Sequence, residues 1–321
     1  MRLHSKETTM RKAITATLTI GIVMGVLTLA PPAGAKDPVT LTLVTHDSFA
    51  VSKKVLRSFT TSTGIDVKVL PSGDAGAALN QVILTKDHPI GDVLFGVDNT
   101  FLSRALRQRI FVPYESPGLE HVPAEFVIDK THHVTPVDHG DVCINYDDSW
   151  FADHDIPRPK SLNDLTKPRY RGLLVAENPA TSSPGLAFVL ATIAKFGEQG
   201  WRDYWSRLRD NDVKIVGGWE QAYNAEFTRG EGGGDRPLVV SYASSPAAVV
   251  YFSDPPFQDS PVGTLLPSCF RQVETVGILR GTEHPKAAQR FVDFMLSRRF
   301  QEDVPLQMFV FPVRNDAKLP K

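Results

Sequence analysis

The chain has 321 residues, 42% of them apolar, and its 35 basic and 36 acidic side chains leave a formal net charge of −1. That balance, with no basic cluster, argues against nucleic acid as a partner, and the length is too great for one small core. Two lobes or one large domain are expected.

Residues 1–35 read as a secretory signal. Arg11 and Lys12 precede an apolar run from Ala13 to Ala30, and Ala33-Gly34-Ala35 is a small-x-small cleavage site. Met10 is an alternative start, because "MRKAITATLTIGIV" is a complete signal by itself. An uncleaved anchor is the other reading of the run, but the small residues that follow favour cleavage and export to the periplasm or the outer face of the membrane. No cysteine lies near the junction, so a lipid anchor is not expected.

Beyond the signal, strands alternate with amphipathic helices. "VTLTLVTH" (39–46) predicts a strand, "AVSKKVLRSFTTSTG" a helix closed by Gly64, and "IDVKVLP" a strand. "GDAGAALNQVILTK" is the next helix, "GDVLFGVD" (91–98) a third strand and "NTFLSRALRQRI" a third helix. The middle repeats the theme in "GLLVAEN", "SSPGLAFVLATIAKFG", "VKIVGG", "WEQAYNAEFTRG" and "RPLVVSYA". Such alternation points to parallel, doubly wound sheets in two α/β lobes. Two longer strands, 132–147 and 269–281, read as crossings between the lobes, and a C-terminal helix presents Ala288, Phe291, Met295 and Phe300 on one face. The expected division is a first lobe from 36–137 and 271–321, and a second from 138–270. Each crossing strand carries one of the two cysteines, Cys143 and Cys269, and a disulfide between them fits an exported chain better than two free thiols do.

Four strand ends lead into small, polar helix starts: Asp47-Ser48, Ser72-Gly73-Asp74, Thr181-Ser182-Ser183-Pro184 and Ala243-Ser244-Ser245-Pro246. In open parallel sheets those ends line one edge, where helix N-termini offer free N–H groups and ligands bind. If the lobes face each other along these edges, the four corners converge on one cleft. In the third corner Ser183 is the expected N-cap and Pro184 the first helical residue, which leaves Thr181 and Ser182 to meet a ligand. Trp219 after two glycines and Tyr242 at a strand end offer rings to a flat or cationic ligand, whereas Tyr223 reads as core. His46 ends the first strand at the same edge, either as a ligand contact or as a plain strand end.

Catalytic signatures are missing: there is no G-x-S-x-G, no H-E-x-x-H and no P-loop, and "GEGGGDRP" precedes a strand, which makes it a flexible loop. A binding protein is therefore expected in place of an enzyme, without a cofactor. His132, His133, Asp138, His139 and Asp141 crowd one segment, but their spacing suits no familiar metal site and a polar strand end is the better reading.

The series "THDSFA", "GDAGAALNQ", "DVLFGVDN", "NPATSSPGLAF", "GGWEQAY", "LVVSYASSPA" and "FPVRN" resembles, in order and over nearly the whole exported chain, the thiamine-binding proteins of bacterial ABC importers. The resemblance implies a two-lobed periplasmic binding protein-like fold of type II, which closes around one ligand and delivers it, as a monomer, to a membrane permease. It implies that Asp74 faces the ligand, that Ser182 is the serine of the "TS" corner, and that Trp219 and Tyr242 are aromatic site positions. Thiamine, with a cationic thiazolium and a flat aminopyrimidine, suits a carboxylate among rings, and its hydroxyethyl arm or a phosphate on it suits Thr181–Ser183. The chain departs from the pattern at His46, where a tyrosine can stand, at Ala248 after "SP", and at Phe309 near a position that can hold tryptophan. Receptors of the same fold for ferric iron or for phosphonates and other small anions are the alternatives. Iron receptors typically supply adjacent tyrosines, and no adjacent pair occurs in this chain.

Overall fold

The computed structural model describes residues 39–320; the expected signal segment lies outside them. In chain order the elements are β1 (Val39–Thr45), α1 (Lys53–Thr63), β2 (Ile65–Pro71), α2 (Ala75–Leu84), β3 (Val93–Asp98), α3 (Leu102–Arg107), β4 (Phe111–Val112), β5 (Thr135–Asp147) and α4 (Asp148–Asp153). There follow β6 (Leu174–Glu177), α5 (Ser183–Asp210), β7 (Lys214–Val216), β8 (Leu238–Tyr242), α6 (Ser245–Phe252), β9 (Val262–Leu279), α7 (Pro285–Met295), α8 (Arg298–Gln301), α9 (Val304–Gln307) and β10 (Phe311–Pro312).

The strands form one continuous sheet in the order β2-β1-β3-β9-β5-β8-β6-β7. Its two wings are parallel, β1 pairing β2 and β3, and β6 pairing β7 and β8. The long strands β5 and β9 lie antiparallel between them. The two wings are thus parallel, as their strand–helix alternation predicts, but the crossing strands fuse them into one sheet. β9 begins at Val262, earlier than the apolar alternation from Cys269 suggests. The bridge Cys143–Cys269 joins β5 to β9 where their register shifts between Val142 and Ile144.

Each wing is covered on both faces. In the first, Leu41, Leu43 and Phe95 pack against Phe59 of α1 and Phe291 and Met295 of α7, while Val44 and Leu94 pack against Leu79 of α2 and Phe101. In the second, Ile144 and Leu238 meet Phe188 and Leu208 of α5, and Val175 and Val239 meet Phe227 and Tyr223. These separate cores make the two lobes. Gly64 closes α1 in the left-handed conformation at φ 70°, a position that favours glycine.

Three helices differ from expectation. α5 does not stop at Gly197 but bends there, at φ 71° and ψ 173°, and resumes to Asp210. The segment 219–230 makes only a short, wide turn at Gln221–Glu226. The C-terminal helix is broken into α7, α8 and α9, because the Ser297 hydroxyl accepts the Phe300 N–H and starts a new helix.

Candidate functional site

The strand ends of the two wings face each other, and the corners after them touch. After β1 the chain turns through His46 and Asp47, whose N–H donates to Gly73 O at 3.0 Å. Asp74 then caps α2, its Oδ1 accepting the Ala75 N–H at 2.6 Å. Its other oxygen, Oδ2, accepts the Trp219 backbone N–H at 2.8 Å from the opposite lobe. Two more bonds cross the same gap: the Ala77 N–H donates to Thr181 O at 3.0 Å, and the Ser48 hydroxyl to Glu220 Oε1 at 2.6 Å. Each is worth about 1 kcal/mol net, so the corners form a polar seam between the lobes.

Under the seam is a cavity of about 60 Å³, whose walls include His46, Asp74, Ser183, Pro184, Trp219, Tyr242 and Glu274. A larger cavity of about 470 Å³ shares Ser48, Trp219, Tyr242 and Met308 with it and extends to Phe252, Phe257 and Phe309. That volume suits a small organic ligand. Trp219 is fixed from three sides: Asp74 holds its backbone, its indole Nε1–H donates to Ser241 Oγ at 2.8 Å, and its ring stacks on Tyr223 with centroids 5.0 Å apart. Tyr242 stands edge-on to it at 6.4 Å.

The electrostatics of the floor are acidic. Glu274 lies on β9 directly between Asp98 of β3 and Asp138 of β5. Burial, and then the charge of Glu274, pushes Asp98 up to about 7 and holds Asp138 well above the usual carboxylate range. Burial raises Asp74 as well, against the opposing donors Trp219, Ser182 and Ala75. His46 Nε2 lies 3.4 Å from Glu274 Oε1. Burial would lower its pKa, but Glu274, Asp74 and Asp47 together hold it above its ordinary value.

The structure therefore brings His46, Asp74, Trp219 and Tyr242 to one cavity wall and Phe309 to the adjoining cavity. It sets the third corner one residue earlier than the sequence suggests. Ser182, not Ser183, is the N-cap of α5, accepting the Gly185 N–H, and it is fully buried. The Thr181 hydroxyl is spent on Gly217 O at 2.7 Å. Neither lines either of these two cavities, whereas Ser183 and Pro184 line the smaller. The reason is local: the Thr181 and Ser182 N–H groups both bond back to Asn178 O, so the turn tightens before the helix starts.

Glu274, Glu220 and Met308 line the two cavities and were missed by sequence reasoning; only Glu274 had a signal, an acid inside the apolar run "VETVGIL". Away from the cavities, His139 is stacked between Phe126 and Phe311. Among the described residues no group of three or more His, Cys, Asp or Glu side chains is arranged to hold a metal ion.

Comparison with known proteins gives consistent matches. Residues 88–321 match the family described as bacterial extracellular solute-binding protein. A thiamine-binding periplasmic protein of Salmonella typhimurium is 28% identical over 302 residues, 92% of this chain and 86% of that one. One from Brucella suis is 29% identical over 305 residues, 91% of this chain and 84% of that one. The solved structure of a periplasmic thiamin binding protein superposes with a TM-score of 0.77 at 25% identity, covering 90% of this chain and 87% of that one.

Proposed function

The chain belongs to the bacterial extracellular solute-binding proteins, and from that membership we propose that it is the receptor of an ABC importer that captures thiamine or a thiamine phosphate. It hands the ligand to a membrane permease, the segments 36–137 with 271–321 and 138–270 acting as the two lobes and β5 and β9 as the hinge between them. The observation that carries this reading is the meeting of Asp74 and Glu274 with the rings of Trp219 and Tyr242 around one cavity. A cationic thiazolium gains from buried carboxylates and from aromatic faces, the latter worth roughly 0.5–2 kcal/mol per contact. The names of the two relatives and of the solved structure point the same way.

Titration calorimetry and thermal melts against thiamine, its monophosphate and its diphosphate test the reading. Saturable stabilisation should grow with concentration, reaching about 2.7 kcal/mol at a hundred times Kd. Ferric citrate and a phosphonate run in parallel; a melt that moves with either of these and not with thiamine refutes the assignment.

A further inference from the structure

Resting on that reading, we propose that Phe252 and Phe257 form, with Phe309, a ring-binding mouth that takes the flat heteroaromatic part of the ligand. Large aromatic side chains are normally well buried, yet Phe252 at the end of α6 is 70% exposed and Phe257 beyond it 43%. They are not scattered surface rings. Both line the 470 Å³ cavity, together with Phe309, Trp219 and Tyr242. Exposed apolar surface gathered at a cavity mouth marks a binding surface.

The mouth is built from two chain segments remote in sequence. Phe252 ends α6 and Phe257 follows it, whereas Phe309 comes from the return segment before β10. Phe252 and Phe309 meet with centroids 5.3 Å apart and planes at 57°. Tyr251 stands edge-on to Phe252 at 5.1 Å and 5.6 Å from Phe309, backing both. The Ser244 hydroxyl donates to the Phe309 carbonyl and ties the two segments together. Phe309 sits at φ 54°, a conformation that an aromatic residue adopts only when its surroundings hold it there.

The two cavities divide the work. The acids Asp74 and Glu274 line only the smaller one, and Phe252 and Phe257 line only the larger, where Arg229 stands with Glu220 and Glu231. A ligand reaching across the shared Trp219 and Tyr242 would set its cation toward Asp74 and Glu274 and its neutral ring against the phenylalanines. Phenyl rings offer stacking without hydrogen bonds, so they read the flatness of the ring and not its substituents.

The test is calorimetry with two probes, thiamine and an N-methylated hydroxyethylthiazolium that lacks the pyrimidine, against the wild type, Phe252→Ala, Phe257→Ala and Phe252→Tyr. Each alanine variant should weaken thiamine binding roughly two- to tenfold and leave thiazolium affinity unchanged, while Phe252→Tyr retains thiamine affinity. Wild-type binding of thiamine with undiminished affinity in both alanine variants overturns the ring-binding mouth and leaves the proposed function standing. Equal losses for both probes also overturn it, because the rings would then serve closure and not ring recognition. A wild type that takes up neither thiamine nor its phosphates overturns both readings.

Discussion

Asp74 carries three duties with two oxygens: it caps α2, it holds the Trp219 backbone across the lobes, and it lines the cavity. Replacing it separates them. Asp74→Ala should lose about 1 kcal/mol of stability from the cap and a similar amount from the crossing bond, and weaken thiamine binding about tenfold or more. Asp74→Asn keeps an oxygen for the cap but sets an amide NH2 against the Trp219 N–H, so in urea it should lose only the crossing bond, about 1 kcal/mol, while thiamine affinity still falls. Equal affinity in Asn and wild type would show that the charge does not face the ligand. At this scale the sequence was only partly legible. Asp74, Trp219 and Tyr242 stand out as types in suggestive places, but Thr181 and Ser182 are not among the residues lining the two cavities at the seam. Which hydroxyl faces outward depends on where Asn178 closes its turn, a one-residue matter that composition does not encode.

The elements explain how the lobes come so close. At the N-terminus of α2, a Cβ on Gly76 would lie 2.7 Å from the Thr181 carbonyl carbon and 2.8 Å from Phe101 Cζ. Only glycine lets this helix rest on the opposite corner. Gly76→Ala should therefore hold the lobes apart at a cost of about 1–3 kcal/mol to the closed arrangement. Small-angle scattering should report a larger radius of gyration, and ligand affinity should drop; an unchanged scattering profile would count against this contact as the limit on closure. The strand–helix alternation that predicts the wings is a local signal, so β1–α1–β2 and β6–α5–β7 were readable. The fusion of both wings through β9 and β5 was not, because strand order depends on pairings between distant residues.

At the scale of the whole molecule, the row Asp98–Glu274–Asp138 across three adjacent strands sets the pH response. Like charges in such positions destabilise a sheet, and the structure answers by raising the two aspartates, Asp98 and Asp138, so that they hold their protons more tightly. Asp98 rises from its ordinary 3.8 to about 7, so between those values the folded chain binds a proton that the unfolded chain has released. The contribution of Asp98 is therefore full on the acid side and falls as pH rises from about 4 to about 7, whereas Asp129 and Asp164, both held below the usual carboxylate value, act in the opposite sense. His46, also raised, adds stability that is present at low pH and lost as it deprotonates. Asp98→Asn keeps the bonds to Thr100 and Phe101 through its remaining oxygen and removes the proton. Urea denaturation should find the variant gaining on the wild type between pH 5 and pH 8, by an amount on the order of 1 kcal/mol or more. A parallel pH profile for both proteins would show that Asp98 does not titrate as described. Nothing in the sequence announces this row, since its members come from positions far apart and meet only once the register is set.

The bridge between Cys143 and Cys269 has a consequence in time. It closes a loop over a sequence separation of 126 residues, for which chain entropy gives about 5 kcal/mol of stabilisation. The reducing cytosol keeps thiols open. A freshly made chain therefore lacks this covalent restraint in the cytosol and gains it after export. The covalent link between β5 and β9 is completed only in the compartment where the protein has work to do.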